Sequence, residues 1–247
     1  AGMQSEDDAE RMVELGFDPQ RISITGSLKH ALEEGRREEN ERVQGAPLAV
    51  HREDGRQVLV AGSTHRGEEE VLLEVFLLLK ASFPNLLMVL APRHPQRFYE
   101  VERLLKQKKV AYEKKSQMNG QGNRLTDVIF LDTLGELPAF YSVADVAFIG
   151  GSLVKAGGHN LMEAARLHKP VLFGPYMTNF AGIAKEMKQK GGGVEVHGRE
   201  DLVREISGLL TDPAKAESMG RIAYRIVEGD RGVMERSIGL ISRYLHP

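Results

Sequence analysis

The chain has 247 residues, with 33 Lys and Arg against 35 Asp and Glu, and no cysteine. That length suits one large α/β domain or two small ones, and the near-zero net charge gives no bulk attraction to nucleic acid or an anionic membrane. Without cysteine there is no disulfide framework, thiolate nucleophile or zinc–thiolate cluster, and Val71–Leu79, interrupted by Glu74, is too short to span a bilayer. The expectation is a soluble, intracellular piece.

Residues 3–16 set Met3, Ala9, Met12, Val13 and Leu15 among acids, as a short amphipathic helix closed near Gly16 would. Ile22-Ser23-Ile24 reads as a brief strand ending at Thr25-Gly26, and the charged run Glu33–Glu41 as a solvated helix or link. Regular alternation then begins. Val58–Ala61 is an apolar run ending in Gly62, and 67–81 has helical period, with Glu68, Glu69 and Glu70 in the first turn, where the helix dipole favours them. Leu86–Ala91 predicts a second buried strand, 96–108 a helix, Val110–Tyr112 a weak strand and 116–126 a polar loop. Further strands are expected at Val128–Leu131, Val146–Ile149, Val171–Phe173 and Gly193–Val196. Helices are expected near 135–143, 159–168, 180–190 and 200–210, with two closing ones near 213–228 and 231–244. Continuous apolar strands separated by amphipathic helices mean βαβ units: an α/β, doubly wound domain on a mostly parallel sheet of six or seven strands. Such sheets bind ligands at the carboxyl ends of their strands.

The first strand is followed by Gly62-Ser63-Thr64-His65-Arg66-Gly67, whose small residues can cap the next helix, while His65 and Arg66 are harder to explain as caps and are either solvated or functional. After the second come Pro92-Arg93-His94-Pro95. Pro95 can start a helix, and Arg93, held at the rim between prolines, offers a planar permanent charge that suits phosphate or carboxylate. Beyond Leu131, Asp132 or Thr133 can cap a helix, or the backbone at Leu134-Gly135 can receive a flat base; spacing does not separate the two. Between Gly150 and Glu163 two glycine pairs flank a loop that leads into a helix, an arrangement whose N–H groups suit an anion. Glu163 either accepts from a ribose diol or favours the helix N-terminus. Gly174-Pro175 is a turn, with Asn179 as a cap unless the turn lies beside the glycine segment. No G-x-G-x-x-G follows a strand, and there is no Walker A loop, no H-E-x-x-H, no G-x-S-x-G and no D-x-D pair after a strand. Neither a metal nor a cofactor is expected, so Arg93 and a helix dipole carry the electrostatic work.

Thr25-Gly26 with Leu28-Lys29, Ser63-Thr64-His65, Pro92–Pro95 with Arg97-Phe98, Asp132–Glu136, Gly150–Asn160 with Glu163, and Gly174-Pro175 with Asn179-Phe180 occur together and in order. The set resembles the donor half of bacterial 3-deoxy-D-manno-octulosonic acid (Kdo) transferases, from about Met3 to the C-terminus. That resemblance implies a GT-B glycosyltransferase of two Rossmann-like domains, of which this is the C-terminal, CMP-Kdo-binding one. It implies metal-independent transfer of Kdo to a lipid A precursor, for lipopolysaccharide, at the cytoplasmic face of the inner membrane. The base, the acceptor site and the membrane anchor belong to an N-terminal domain whose motifs are not in this chain, so no catalytic residue and no turnover are expected here. Residues 1–25 are then a remnant of the interdomain region, with Ala1-Gly2 a cloning scar, and 26–247 the donor-binding domain.

Residue by residue, the resemblance implies that Ser63, Thr64, His65 and His94 bind substrate and that Arg93 meets the CMP phosphate or Kdo carboxylate. Backbone groups around Gly151-Ser152 and Gly158-His159-Asn160 would cradle the phosphate, Glu163 would hold the ribose hydroxyls, and Leu134-Gly135-Glu136 would border the cytosine. Three positions depart from the family pattern: Ser27 for Asn, Leu134 for Met and Tyr176 for His. The partners implied are CMP-Kdo and, through the other domain, the lipid A precursor, with no nucleic acid and no membrane insertion by this part. The alternatives are a UDP-sugar-dependent GT-B transferase or epimerase domain, or a stand-alone nucleotide-binding module.

Overall fold

The structure is a computed structural model that describes residues 1–3, 6–26, 55–118, 126–228 and 233–245. The Ser27-Leu28-Lys29 motif, the charged run 33–41 and the centre of the polar loop, 119–125, lie outside the described residues. The chain divides into two compact units, 1–44 with 227–247, and 45–226. In the first, Gly2–Met3 (β1) pairs in parallel with Ser23–Ile24 (β2), with Glu6–Glu14 (α1) between them in sequence.

The second unit holds Val58–Thr64 (β3), Leu87–Pro92 (β4), Tyr112–Lys114 (β5), Val128–Phe130 (β6), Val146–Ile149 (β7), Val171–Phe173 (β8) and Gly193–Glu195 (β9). They form one seven-stranded sheet in the order β5-β6-β4-β3-β7-β8-β9, and every pairing is parallel. All residues of β4, β6, β7 and β8 are buried, as strands covered on both faces must be. The covering helices are Glu68–Lys80 (α2), Phe98–Gln107 (α3), Leu137–Ser142 (α4), Met162–Ala165 (α5), Ala181–Lys190 (α6) and Arg199–Thr211 (α7), followed by Pro213–Glu228 (α8). Leu72, Phe76 and Leu79 of α2 share one core cluster with Leu59, Phe130 and Phe148 of the sheet and with Ile206 and Leu209 of α7. Fully burying each such side chain contributes about 1.5–3 kcal/mol. Val233–Leu245 (α9) belongs to the first unit, where Arg236 Nε donates to the Thr25 carbonyl at 3.2 Å.

Three elements differ from the sequence reading. The helix expected from residue 3 begins at Glu6, because Gly2–Met3 pairs as a strand with Ser23–Ile24. The helix expected over 159–168 is helical only at Met162–Ala165. Gly157 and Gly158, with φ of +91° and +73°, and the Asn160 side chain, which accepts from Met162 N at 3.0 Å, keep the backbone in loop geometry up to that point. The weak strand lies two residues later than expected, at Tyr112–Lys114, where it pairs as a sheet edge with β6.

From β3 the chain works outward through β4 and later returns to β3's other side as β7. That reversal makes the carboxyl ends of β3 and β7 the topological switch point, where open α/β sheets leave a crevice. Close approach there depends on glycine: a Cβ on Gly150 would stand 2.3 Å from the Ser63 carbonyl oxygen. Ser63 itself has a left-handed φ of +55°, turning the chain sharply as β3 ends.

Candidate functional site

Two loops meet at the switch point, and a buried carboxylate joins them. Glu68, at the first turn of α2, is 0% exposed. Its Oε2 accepts from His65 N at 2.8 Å and from Gly151 N at 2.7 Å, while Oε1 accepts from Ser152 N at 3.0 Å and Leu153 N at 2.9 Å. Burial pushes this carboxyl above the usual carboxylate range, and the hydrogen bonds from Gly151, Leu153, His65 and Ser152 work against that rise. Gly158 N and His159 N also donate inward, to the Gly151 carbonyl at 2.8 Å and the Gly150 carbonyl at 3.2 Å. The N–H groups of Gly151, Ser152, Gly158 and His159 therefore end on acceptors within the protein, as buried donors must. In this structure the N–H groups that the resemblance implies cradle a phosphate are thus engaged internally.

What the loops turn to the crevice is a set of side chains. His65 and His159 stack with centroids 5.0 Å apart and Nε2 atoms 2.7 Å apart, and the His94 ring stands edge-on to His65 at 5.1 Å. At that separation one imidazole donates and the other accepts, so both cannot carry a proton on the facing nitrogens. Burial, then the charges of His65, Arg93 and His94, hold His159 down at about 4. Burial, then His94, Arg97 and Arg93, also lower His65. Gly151 makes this packing possible, because a Cβ there would lie 2.9 Å from His159 Cδ2 and 3.4 Å from His65 Cδ2. Arg93, anchored by its N–H to the Thr64 carbonyl at 3.0 Å, is exposed beside the rings.

The remaining sequence candidates fall into three groups. Ser152 ties the β7 loop to the β8 loop: its Oγ accepts from Gly174 N at 2.8 Å and its carbonyl accepts from Tyr176 N at 2.9 Å. Asn179 does not cap a helix through its side chain; Nδ2 donates to the Gly158 carbonyl at 3.3 Å, so the Gly-Pro turn does lie beside the glycine segment. After β6, Leu134 is 74% exposed and Gly135 has a φ of +83°. Glu136 pairs with Lys115 at 3.1 Å and accepts from the Thr133 hydroxyl, and Asp132 accepts from Ser116 N at 2.8 Å instead of capping α4. Glu163 is partly exposed on α5. Burial first, and the Glu163 charge second, raise the phenol of buried Tyr141. Of the predicted residues, the structure brings Thr64, His65, Gly151, Ser152 and His159 into one linked cluster, with His94 and Arg93 at its rim.

Sequence reading missed the supports beneath this cluster. Glu69, also 0% exposed, receives Arg97 Nη1 at 2.8 Å and Nη2 at 3.2 Å, and the Thr64 hydroxyl at 2.9 Å. The Thr64 hydroxyl is thus spent on a structural contact. Three acids in one first turn have a sufficient surface explanation, and Arg97, at the start of α3, has a local partner in Glu100 at 3.2 Å, so neither residue signals the buried pair.

The family model for glycosyl transferases group 1 matches residues 51–226. The chain is 36% identical over 236 residues to a 3-deoxy-D-manno-octulosonic acid transferase of Haemophilus influenzae, across 95% of this chain and 54% of that protein. It is 32% identical over 247 residues to a protein of the same name from Bordetella pertussis, across 98% of this chain and 56% of that one. The chain thus spans about half the length of these relatives. Among solved structures, the C-terminal CMP-Kdo binding domain of WaaA from Acinetobacter baumannii is similar, with a TM-score of 0.68 and 29% identity over 73% of this chain and 95% of that one. The S. aureus MnaA–UDP structure has a TM-score of 0.65 at 15% identity, over 98% of this chain and 60% of that one, a likeness of fold alone. With the doubly wound sheet, the loops gathered at its switch point and a family match over most of its length, the chain belongs to the glycosyl transferases group 1.

Proposed function

We propose that the chain is the donor-binding part of a Kdo transferase, which takes CMP-Kdo and, in the whole protein, passes Kdo to a lipid A precursor during lipopolysaccharide synthesis. The observation that carries this reading is the convergence of His65, His94, His159 and Arg93 at the β3/β7 switch point. It is supported by similarity to a solved CMP-Kdo binding domain over 95% of that domain. In this reading Arg93 and the imidazoles take the phosphate of departing CMP, stabilising the negative charge that develops on it. Leu134, Gly135 and Glu136 border the cytosine, and Glu163 holds the ribose hydroxyls. In this reading the site works without a metal ion or cofactor, its positive charge coming from Arg93 and its further donors from imidazole N–H groups.

Glu68 and Glu69 are the carboxylates buried at this crevice, and both are engaged internally. A base for the acceptor hydroxyl is therefore proposed to come from outside this domain, together with the acceptor site. The whole protein is proposed to act at the cytoplasmic face of the inner membrane. Among the described residues no helix is long and apolar enough to cross a membrane. The reading is tested by thermal unfolding with CMP, UMP, UDP and AMP. A ligand at about 100 times its dissociation constant adds roughly 2.7 kcal/mol of stability, so CMP is expected to raise the transition clearly and UDP is not. A shift with UDP alone would replace this reading with the UDP-sugar one.

A further inference from the structure

We propose that Glu68 is a positioning residue of the donor site: its carboxylate occupies the glycine loop as an internal anion and sets the spacing of His65 and His159, and so the side-chain face offered to a ligand phosphate. This rests on the reading that the ligand is a nucleoside monophosphate ester. Glu68 bridges the two loops that flank the switch point, one after β3 and one after β7, through four backbone N–H groups. The same oxygen, Oε2, holds His65 N and Gly151 N. It thus fixes the backbone of one histidine and the glycine against whose Cα the other histidine's ring lies. Further along the loop, the Gly151 carbonyl accepts from Gly158 N and the Gly150 carbonyl from His159 N, so the placement of His159 is built on the segment that Glu68 anchors.

The contrast with the next residue is informative. Glu69 is neutralised by Arg97, whereas no cation among the described residues pairs with Glu68. Leaving a buried carboxylate without a counter-ion is costly unless N–H groups replace water around it. A carboxylate also has the lone pairs to accept from four donors at once, while a carboxamide has one accepting oxygen and would point an NH₂ at two of them. Changing Glu68 to Gln therefore releases at least one of the loops without changing side-chain size.

The test compares CMP with cytidine, because an effect confined to the phosphate falls on CMP alone. In the unsubstituted chain CMP should bind more tightly than cytidine. In Glu68→Gln, the cytidine affinity should stay and the CMP affinity should fall about tenfold or more, the scale of one buried donor left unsatisfied. An unchanged ratio of CMP to cytidine affinity in a folded Glu68→Gln would overturn the proposal, as would equal loss of both ligands. If Glu68→Gln does not fold, Glu68→Ala is assayed with and without formate, a small carboxylate able to occupy the vacated N–H cluster. Formate should restore the ratio of CMP to cytidine affinity. Restored folding without the restored ratio, or no rescue of either, would count against the proposal. A separate outcome, an unsubstituted chain that binds CMP no better than cytidine, would remove the phosphate-site reading itself and not the role of Glu68 within the fold.

Discussion

At the ends of β3 and β7 the backbone N–H groups of His65, Gly151, Ser152, Leu153, Gly158 and His159 all end on acceptors inside the protein. The loop at 132–136 is held instead by contacts near the surface, Lys115 to Glu136 at 3.1 Å and Lys114 to Asp132 at 3.6 Å, with Leu134 standing 74% exposed. Ion pairs of the second kind, half-buried but still reached by water, contribute on the order of 1 kcal/mol each. Buried donors of the first kind each cost about 1–3 kcal/mol if left unsatisfied. One wall of the crevice is therefore fixed before any ligand arrives, and the other is free to adjust. In the proposed reading the fixed wall meets the phosphate and the adjustable one meets the base.

Substitutions should separate the walls. Gly150→Ala forces a Cβ to within 2.3 Å of a backbone carbonyl, so it should cost on the order of 3 kcal/mol and abolish CMP binding. At Gly135 nothing lies within 4 Å, and Gly135→Ala should cost only about 1 kcal/mol, from left-handed strain. Chemical denaturation of both variants checks the difference. Arg93→Ala, at an exposed position, should leave the unfolding midpoint nearly unchanged yet weaken CMP about 10- to 100-fold, with cytidine unaffected, by calorimetric titration.

The imidazole pair gives the fixed wall a pH signature. His159 is held at about 4 in the folded chain, against an ordinary value of about 6.5. Between those values the unfolded chain binds a proton at this residue that the folded chain does not, so stability falls as pH drops from about 6.5 to 4. His159→Gln removes that penalty. The stability gap between it and the unsubstituted chain should shift in its favour by about 1–2 kcal/mol across the window, discounted for the ring's partial exposure. A gap constant with pH would contradict the buried, neutral imidazole. The smallest effect belongs to the adjustable wall: Leu134→Ala should change stability by less than about 0.5 kcal/mol.

How far the sequence revealed these features depended on their range. Val146–Ile149 and Val171–Phe173 match their predicted bounds because a strand buried on both faces is a local apolar run. Arg93 was legible because proline on both sides fixes its place at a strand end. Glu68 was not, since its burial depends on a loop more than 80 residues later in the chain arriving over it, and nothing in its own turn distinguishes it from Glu70. The contact between His65 and His159 spans 94 positions and was equally invisible, although each residue was a candidate alone. Where glycines were taken as an opening for an anion, the fold had supplied its own anion from α2.

The most direct test is a crystal structure of the chain with CMP bound. The account predicts the phosphate within hydrogen-bonding distance of Arg93 and of His94, His65 or His159, with Glu68 still accepting from Gly151, Ser152 and Leu153. A phosphate seated on those three N–H groups, with Glu68 displaced, would contradict it.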